Sequence, residues 1–272
     1  MPSAGLNNPH VVVETSVVRF IRARLELAHQ ERAICVISGP WGIGKTTAID
    51  SFVEANAQSC VVVKVEQGSA KRGASPVAVL QQSLEAMRPK VGRSPRAALS
   101  NAYWSLRQMT YNYLAQWQSE SALENTTGRA PLLSLIFDEA QYLSREAIEM
   151  LRYWNDGDRT VTPFPVGLSF VGNSEFALEE NASGQSVLSG AVRSRALFVE
   201  ALAYSDLTDE DLANFMASRG PYESDAMSLI LTHYKRPRVR RDLRSLIRLD
   251  SIFRRRSEGR PISSETVRDL LS

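Results

Sequence analysis

The chain has 272 residues, 43% of them hydrophobic and 23% charged, enough to bury one sizeable core and a smaller second one. No apolar stretch approaches the roughly 18 to 20 residues that span a bilayer, and residues 1–10 lack a basic segment followed by an apolar one, so no membrane role and a cytoplasmic location are expected. The two cysteines, Cys35 and Cys60, each lie inside an apolar run, which argues against a disulfide or zinc framework and predicts free thiols packed as small hydrophobes.

In chain order, Val17, Val18, Ile21, Leu25 and Ala28 recur at helical spacing within residues 13–29, with Thr15 or Ser16 as N-cap. A strand over 33–38 runs into a glycine-rich loop, and 46–56 reads as the helix behind it. A second apolar run, 61–65, ends in the Gly/Ser/Pro-rich stretch EQGSAKRGASP, and 76–87 follows as a helix. Residues 95–118 place Leu99, Tyr103, Leu106, Thr110, Tyr113 and Trp117 about 3.5 residues apart, a stripe that predicts a helix face packed in the core and not a ligand platform. The runs 131–137 and 166–171 are short and continuously apolar, as strands buried on both faces are, and 197–202 reads as a fifth strand.

This alternation predicts an α/β fold with a parallel sheet. Beyond Tyr204 only helices are expected, over 208–217, 223–234, 239–256 and 264–271, so the domain boundary is placed near 203, with an α/β domain at 1–203 and a helical one at 204–272. Charge is polarised as well. Residues 235–260 hold eleven Lys/Arg against three acids, a balance of +8 in a chain whose net charge is only +2. Such a segment predicts either a polyanion partner or a solvated helix face.

The segment GPWGIGKTT, Gly39, Pro40, Trp41, Gly42, Ile43, Gly44, Lys45, Thr46 and Thr47, fits the pattern G-x-x-x-x-G-K-[ST] between a predicted strand and a predicted helix. Glycines let backbone N–H groups turn around a β-phosphate, Lys45 reaches β and γ oxygens, and Thr46 supplies a hydroxyl to Mg²⁺. A second acid is needed for the metal, and LLSLIFDEAQ provides Asp138 at the end of a buried strand with Glu139 next to it, placed to polarise an attacking water. The doublet favours hydrolysis over a small-molecule kinase, whose acceptor would supply the nucleophile. No Asn/Thr-Lys-x-Asp stretch is present, so ATP is preferred to GTP. The next buried strand, GLSFVGN, ends in Asn173, an amide suited to orienting the water, and Arg193 and Arg195 in SGAVRSRALFVEAL are candidates to reach a neighbouring subunit's γ-phosphate.

The order GPWGIGKTT, LLSLIFDEAQYL, SFVGNSEF, RSRALFVEAL resembles that of the AAA+ ATPases, and within them the transposition ATPases of the Mu B, TnsC and TniB group. The resemblance covers about residues 13–250, and DEAQ is shared with secretion ATPases of the ExeA type and with origin-recognition ATPases. It implies a P-loop AAA+ fold with a five-stranded parallel sheet and a small C-terminal helical lid, and a homo-oligomer, ring or helical filament, with nucleotide between subunits. It further implies Lys45 and Thr46 as Walker A, Asp138 and Glu139 as Walker B, Asn173 as sensor 1, and Arg195 as the arginine finger with Arg193 as the alternative. Arg244 in RRDLRSLIRL stands for sensor 2, although Arg241 occupies the place of the glycine in the family's Gly-x-x-Arg. Two pore-lining loops in such proteins correspond to segments offering Lys71 and Arg72, and Arg88, Lys90, Arg93 and Arg96, cations suited to a duplex DNA backbone. The implied partners are duplex DNA, a transposase and a target-selector protein. The competing expectation is an adaptor or secretion-type ATPase whose oligomer acts on proteins.

Overall fold

The computed structural model describes residues 13–67, 73–92, 102–124, 131–157, 165–174, 176 and 188–271. Lys71, Arg72, Arg93 and Arg96 lie outside these residues. The described chain forms two compact units, one of residues 20–40 and 48–202, the other of residues 13–19, 41–47 and 203–271.

In the first unit, β1 (Ile34–Ser38), β2 (Cys60–Lys64), β3 (Ser134–Asp138), β4 (Gly167–Gly172) and β5 (Ala196–Ala201) form one sheet in the order β2-β3-β4-β1-β5, with every pairing parallel. β1, β3 and β4 are buried at every position, which is why their sequences are continuously apolar and not alternating. β5 is an edge strand and alternates instead, leaving Leu197 and Val199 exposed. Cys35 and Cys60 are free and buried, and burial pushes both thiols up to about 12.

The helices around the sheet follow from caps and stripes. α1 (Ser16–Gln30) is capped by Thr15, whose hydroxyl accepts from the Val18 N–H at 3.2 Å. α2 (Lys45–Ala55) follows the glycine loop. α3 (Pro76–Met87) has Ser75 as N-cap and proline at its first position, and it packs on β2 and on α4 (Tyr103–Glu124). Along α4, Leu106, Thr110, Tyr113 and Trp117 are buried and Tyr103 is half-buried, while Leu99 lies outside the described residues; the Trp117 indole donates to the Gln58 carbonyl at 3.0 Å, so the described part of the stripe packs in the core. α5 (Arg145–Asp156) is a helix the sequence analysis did not anticipate. Ser144 caps it, and Ala147, Ile148, Leu151 and Trp154 form its buried face. α6 (Gly190–Arg195) leads into β5.

The second unit is helical: α7 (Asp209–Arg219), α8 (Ser224–Tyr234), α9 (Leu243–Ser257) and α10 (Ser264–Leu271) surround Leu212, Met216, Ile230, Leu246, Phe253 and Val267. So small a core is supplemented by buried carboxylates. Asp211 closes a capping box with Thr208 and also accepts from the N–H of Ser16, at 2.7 Å, and from its hydroxyl. Asp250 is fully buried on α9 and accepts from Arg219 at 2.7 Å, from Arg254 at 2.9 Å and from the Tyr222 hydroxyl. Burial pushes the Asp250 carboxyl up, but the bonds from Arg254, Tyr222 and Arg219 outweigh it and hold the group below the usual carboxylate range.

A carboxylate lowered in the folded state contributes stability that is present above its unfolded pKa, ~3.9, and lost as pH falls through the folded value. Asp250→Ala is expected to cost about 2 kcal/mol at neutral pH, the low end for a charged hydrogen-bond partner because both guanidinium groups can reach water. Urea unfolding of the two proteins at pH 7 and below pH 4 checks this: the gap between them should shrink in acid.

Candidate nucleotide site

Parallel pairing brings the carboxyl ends of the strands to one edge of the sheet. Ser38 is in register with Gly172 and with Ala201, and Asp138 with Val171, so the ends of β1, β3, β4 and β5 form one row. The Gly39 N–H donates to the Gly172 carbonyl at 3.3 Å and extends the β1–β4 ladder one residue past the strand. From there the chain leaves the sheet through Pro40 and Trp41 and enters α2 at Lys45.

Two glycines make the loop possible. Gly42 has φ +77° and Gly44 φ +104°, the left-handed region that side chains with a Cβ rarely adopt. Contact disfavours a side chain as well: a Cβ on Gly44 would lie 2.9 Å from Val18 Cγ2, and one on Gly42 would lie 3.0 Å from Asp242 Oδ1. Ile43 between them is buried, so it serves the loop through its backbone only. Lys45 is half-buried at the first position of α2, while Thr46 and Thr47 are exposed. The first N–H groups of α2 have no acceptor within the helix, and with the loop's own amides they suit an anion. Trp41 is 51% exposed.

The second unit also holds the start of α9 against this loop. The Leu243 N–H, one of the first donors of α9, is accepted by the Gly42 carbonyl at 2.8 Å, and Asp242 caps α9 by accepting from the Ser245 N–H at 2.7 Å. Arg244 therefore stands beside the loop, with its Cβ 3.4 Å from where a Gly42 Cβ would be, and is exposed. Arg241 instead pairs with Asp209 at 2.7 Å.

At the sheet edge, Asp138 is 6% exposed at the last position of β3, and its Oδ1 accepts from the Glu139 N–H at 2.9 Å. Glu139 has φ +58°, an unusual backbone for a non-glycine residue that turns the chain sharply out of the strand. Its carboxylate accepts from Gln141 Nε2 at 2.5 Å, and Gln141 Oε1 accepts from the Asn173 N–H at 2.9 Å. Gln141 thus ties the acid after β3 to the residue after β4. The contact needs Gly172, since a Cβ there would lie 3.0 Å from Gln141 Oε1 and 2.9 Å from Phe176 Cβ. Gln141 has no role expected from sequence; its position in DEAQ, three residues beyond Asp138, was the available signal.

The remaining candidates are spread elsewhere. Arg195 is exposed and pairs with Asp156 at 2.8 Å, and Arg193 is exposed on the same short helix, α6. Lys90 is half-buried and its ammonium donates to the Ala57 carbonyl, while Arg88 is buried. Chemically, the hydroxyl of Thr46 and the carboxylate of Asp138 are each a hard oxygen donor of the kind that Mg²⁺ accepts. Among the described residues no cluster of three or more His, Cys, Asp or Glu is placed to hold a metal ion by itself. No helix among the described residues is long and apolar enough to cross a membrane.

Residues 28–178, more than half of the chain, match a family described as AAA domain. Among solved structures, Drosophila ORC bound to DNA is 13% identical, with 100% of this chain and 67% of that chain covered at a TM-score of 0.54. A mutant of Thermotoga maritima RuvB is 16% identical over 95% of this chain and 69% of that one, at 0.51, and the RuvB described as a Holliday junction branch migration motor is 16% identical over 94% and 68%, at 0.49. Identities this low express a shared fold. No curated protein matches the chain.

Two substitutions probe the bridge. Gln141→Ala is expected to slow nucleotide hydrolysis at least tenfold while leaving nucleotide affinity within about twofold, because it frees Glu139 without touching the glycine loop. Gly172→Ala should reproduce the rate defect by displacing Gln141. Steady-state hydrolysis beside equilibrium binding of a fluorescent ATP analogue measures both.

Proposed function

The chain belongs to the AAA domain family, and from that premise we propose that it is a Mg²⁺-dependent, ATP-hydrolysing enzyme that assembles on duplex DNA. The observation that carries the hydrolytic part is the chain Glu139–Gln141–Asn173, which holds a carboxylate in a fixed position after the buried Asp138. A carboxylate orienting water needs such restraint, since the wrong rotamer is worth as little as a missing base.

In this reading the amides around Gly42 and Gly44 and the start of α2 hold phosphate oxygens, and Lys45 offsets their charge. Thr46 and Asp138 are the residues that would hold Mg²⁺, which would supply positive charge to the phosphate oxygens. Glu139 accepts the proton of the attacking water, Gln141 keeps Glu139 in place, and Asn173 orients the water with its amide. Arg244 responds to the nucleotide from the start of α9. Arg195, or Arg193, reaches the γ-phosphate of a neighbouring subunit, with Arg195 leaving Asp156 to do so.

The finer reading is that the ATP-bound oligomer, a ring or a helical filament, binds duplex DNA without sequence preference, marks a transposition target and recruits or activates a transposase, with a target-selector protein as a further partner. Hydrolysis then dissolves it. The motif order shared with the transposition ATPases supports this, as does a fold also found in an ORC bound to DNA. Lys71, Arg72, Lys90, Arg93 and Arg96 are the proposed pore contacts.

Glu139→Gln is expected to bind ATP normally, to lose ~100-fold or more of its hydrolysis, and to persist on DNA. Lys45→Ala should fail to bind ATP and to assemble. Turnover assays and sedimentation with duplex DNA read these outcomes. Normal turnover by Glu139→Gln would remove that residue from its role, and nucleotide-dependent oligomers indifferent to DNA would favour an adaptor acting on proteins.

A further inference from the structure

The +8 segment divides into two parts. Lys235 and Arg241 are both held by the carboxylate of Asp209, at 3.0 and 2.7 Å. These bonds hold the pKa of Asp209 below the usual carboxylate range and pin both ends of the α8–α9 connection to the start of α7. Between the pins the backbone makes a tight turn, in which the Val239 N–H donates to the Arg236 carbonyl at 3.0 Å and Pro237 occupies the position where its fixed φ favours the turn. Arg236, Arg238 and Arg240 stand on this turn, all exposed. Arg244 and Arg248 continue the row one helical turn apart on α9. Among the described residues none of these five arginines has a carboxylate within 4.0 Å.

Five guanidinium groups on so short a stretch repel one another, while Asp209 is spent on holding the turn and Asp242 on capping α9. Arg240, Arg244 and Arg248 also line a groove of about 600 Å³, together with Asp242, Trp41 and His233. His233 adds no charge at neutral pH, since burial and Arg236 lower its pKa. A row of guanidinium forks carried on one pinned turn matches sugar-phosphate backbone, whose charges recur at regular spacing, better than the irregular acids of a protein surface.

We propose that the Asp209-clamped turn, with Arg236, Arg238 and Arg240, is a nucleic-acid-binding surface that grips backbone phosphates. It rests on the DNA-binding reading and adds to it a contact in the helical unit, separate from the pore loops. Being a contact to phosphates, it contributes affinity and not sequence choice.

The test is anisotropy titration of a labelled 30-base-pair duplex with the full chain and a non-hydrolysable ATP analogue, across a salt series. The triple variant Arg236→Ala, Arg238→Ala, Arg240→Ala is expected to bind at least tenfold more weakly and to lower the slope of log affinity against log salt by about 3, near 0.9 per phosphate contact. The triple Arg→Lys variant should restore most of the slope, which a folding defect would not allow. Unchanged affinity and slope in the alanine variant, with wild-type binding intact, would overturn this surface and leave the DNA reading standing. Failure of the wild type to bind duplex, with binding to poly-glutamate instead, would overturn both and point to an acidic protein partner.

Discussion

A central strand with parallel neighbours on both sides can leave the sheet only at its end, and β1, between β4 and β5, does so through a loop with two left-handed glycines. The requirement is steric before it is chemical. Val18 and Asp242 occupy the space that Cβ atoms on Gly44 and Gly42 would need, so the loop is a packed object and not a flexible connector. Its amides are thereby fixed before any phosphate arrives, and little conformational entropy remains to be lost on binding. The same parallel pairing delivers Asp138, Glu139 and Asn173 to the edge of the sheet at which β1 ends. Gln141 locks Glu139 and Asn173 together across 34 residues of sequence.

In the helical unit, carboxylates perform the organisation that a larger core would otherwise provide. Asp250 is buried with two arginines and a tyrosine, Asp211 joins a capping box to the first turn of α1, and Asp209 clamps a basic turn. All three have their pKa lowered in the folded state by the bonds they accept, so this unit is held together by charge that acid removes. Among the described residues Arg236, Arg238, Arg240, Arg244 and Arg248 are without a carboxylate within 4.0 Å.

Much of this was legible in sequence because it is local or periodic. A run such as LLSLIFD has no solvated face, and the apolar stretches gave five strands to within a few residues. GPWGIGKTT gave the loop, since only a phosphate cradle asks for glycines, lysine and threonine at that spacing. α5 was readable but passed over: Ser144 and the spacing of Ala147, Ile148, Leu151 and Trp154 announce it. Other features depend on tertiary proximity. Nothing in the order of residues places Gln141 against Asn173, or sets Asp209 between Lys235 and Arg241. The segment 235–260 reads as one basic run, yet the fold divides it into structural ion pairs and exposed arginines.

The central claim is that ATP held by the glycine loop and duplex DNA together drive assembly of this chain. Negative-stain imaging with a non-hydrolysable ATP analogue, with and without linear duplex, tests it most directly. The account predicts rings or filaments only when both are present. A monomer under every condition would contradict it.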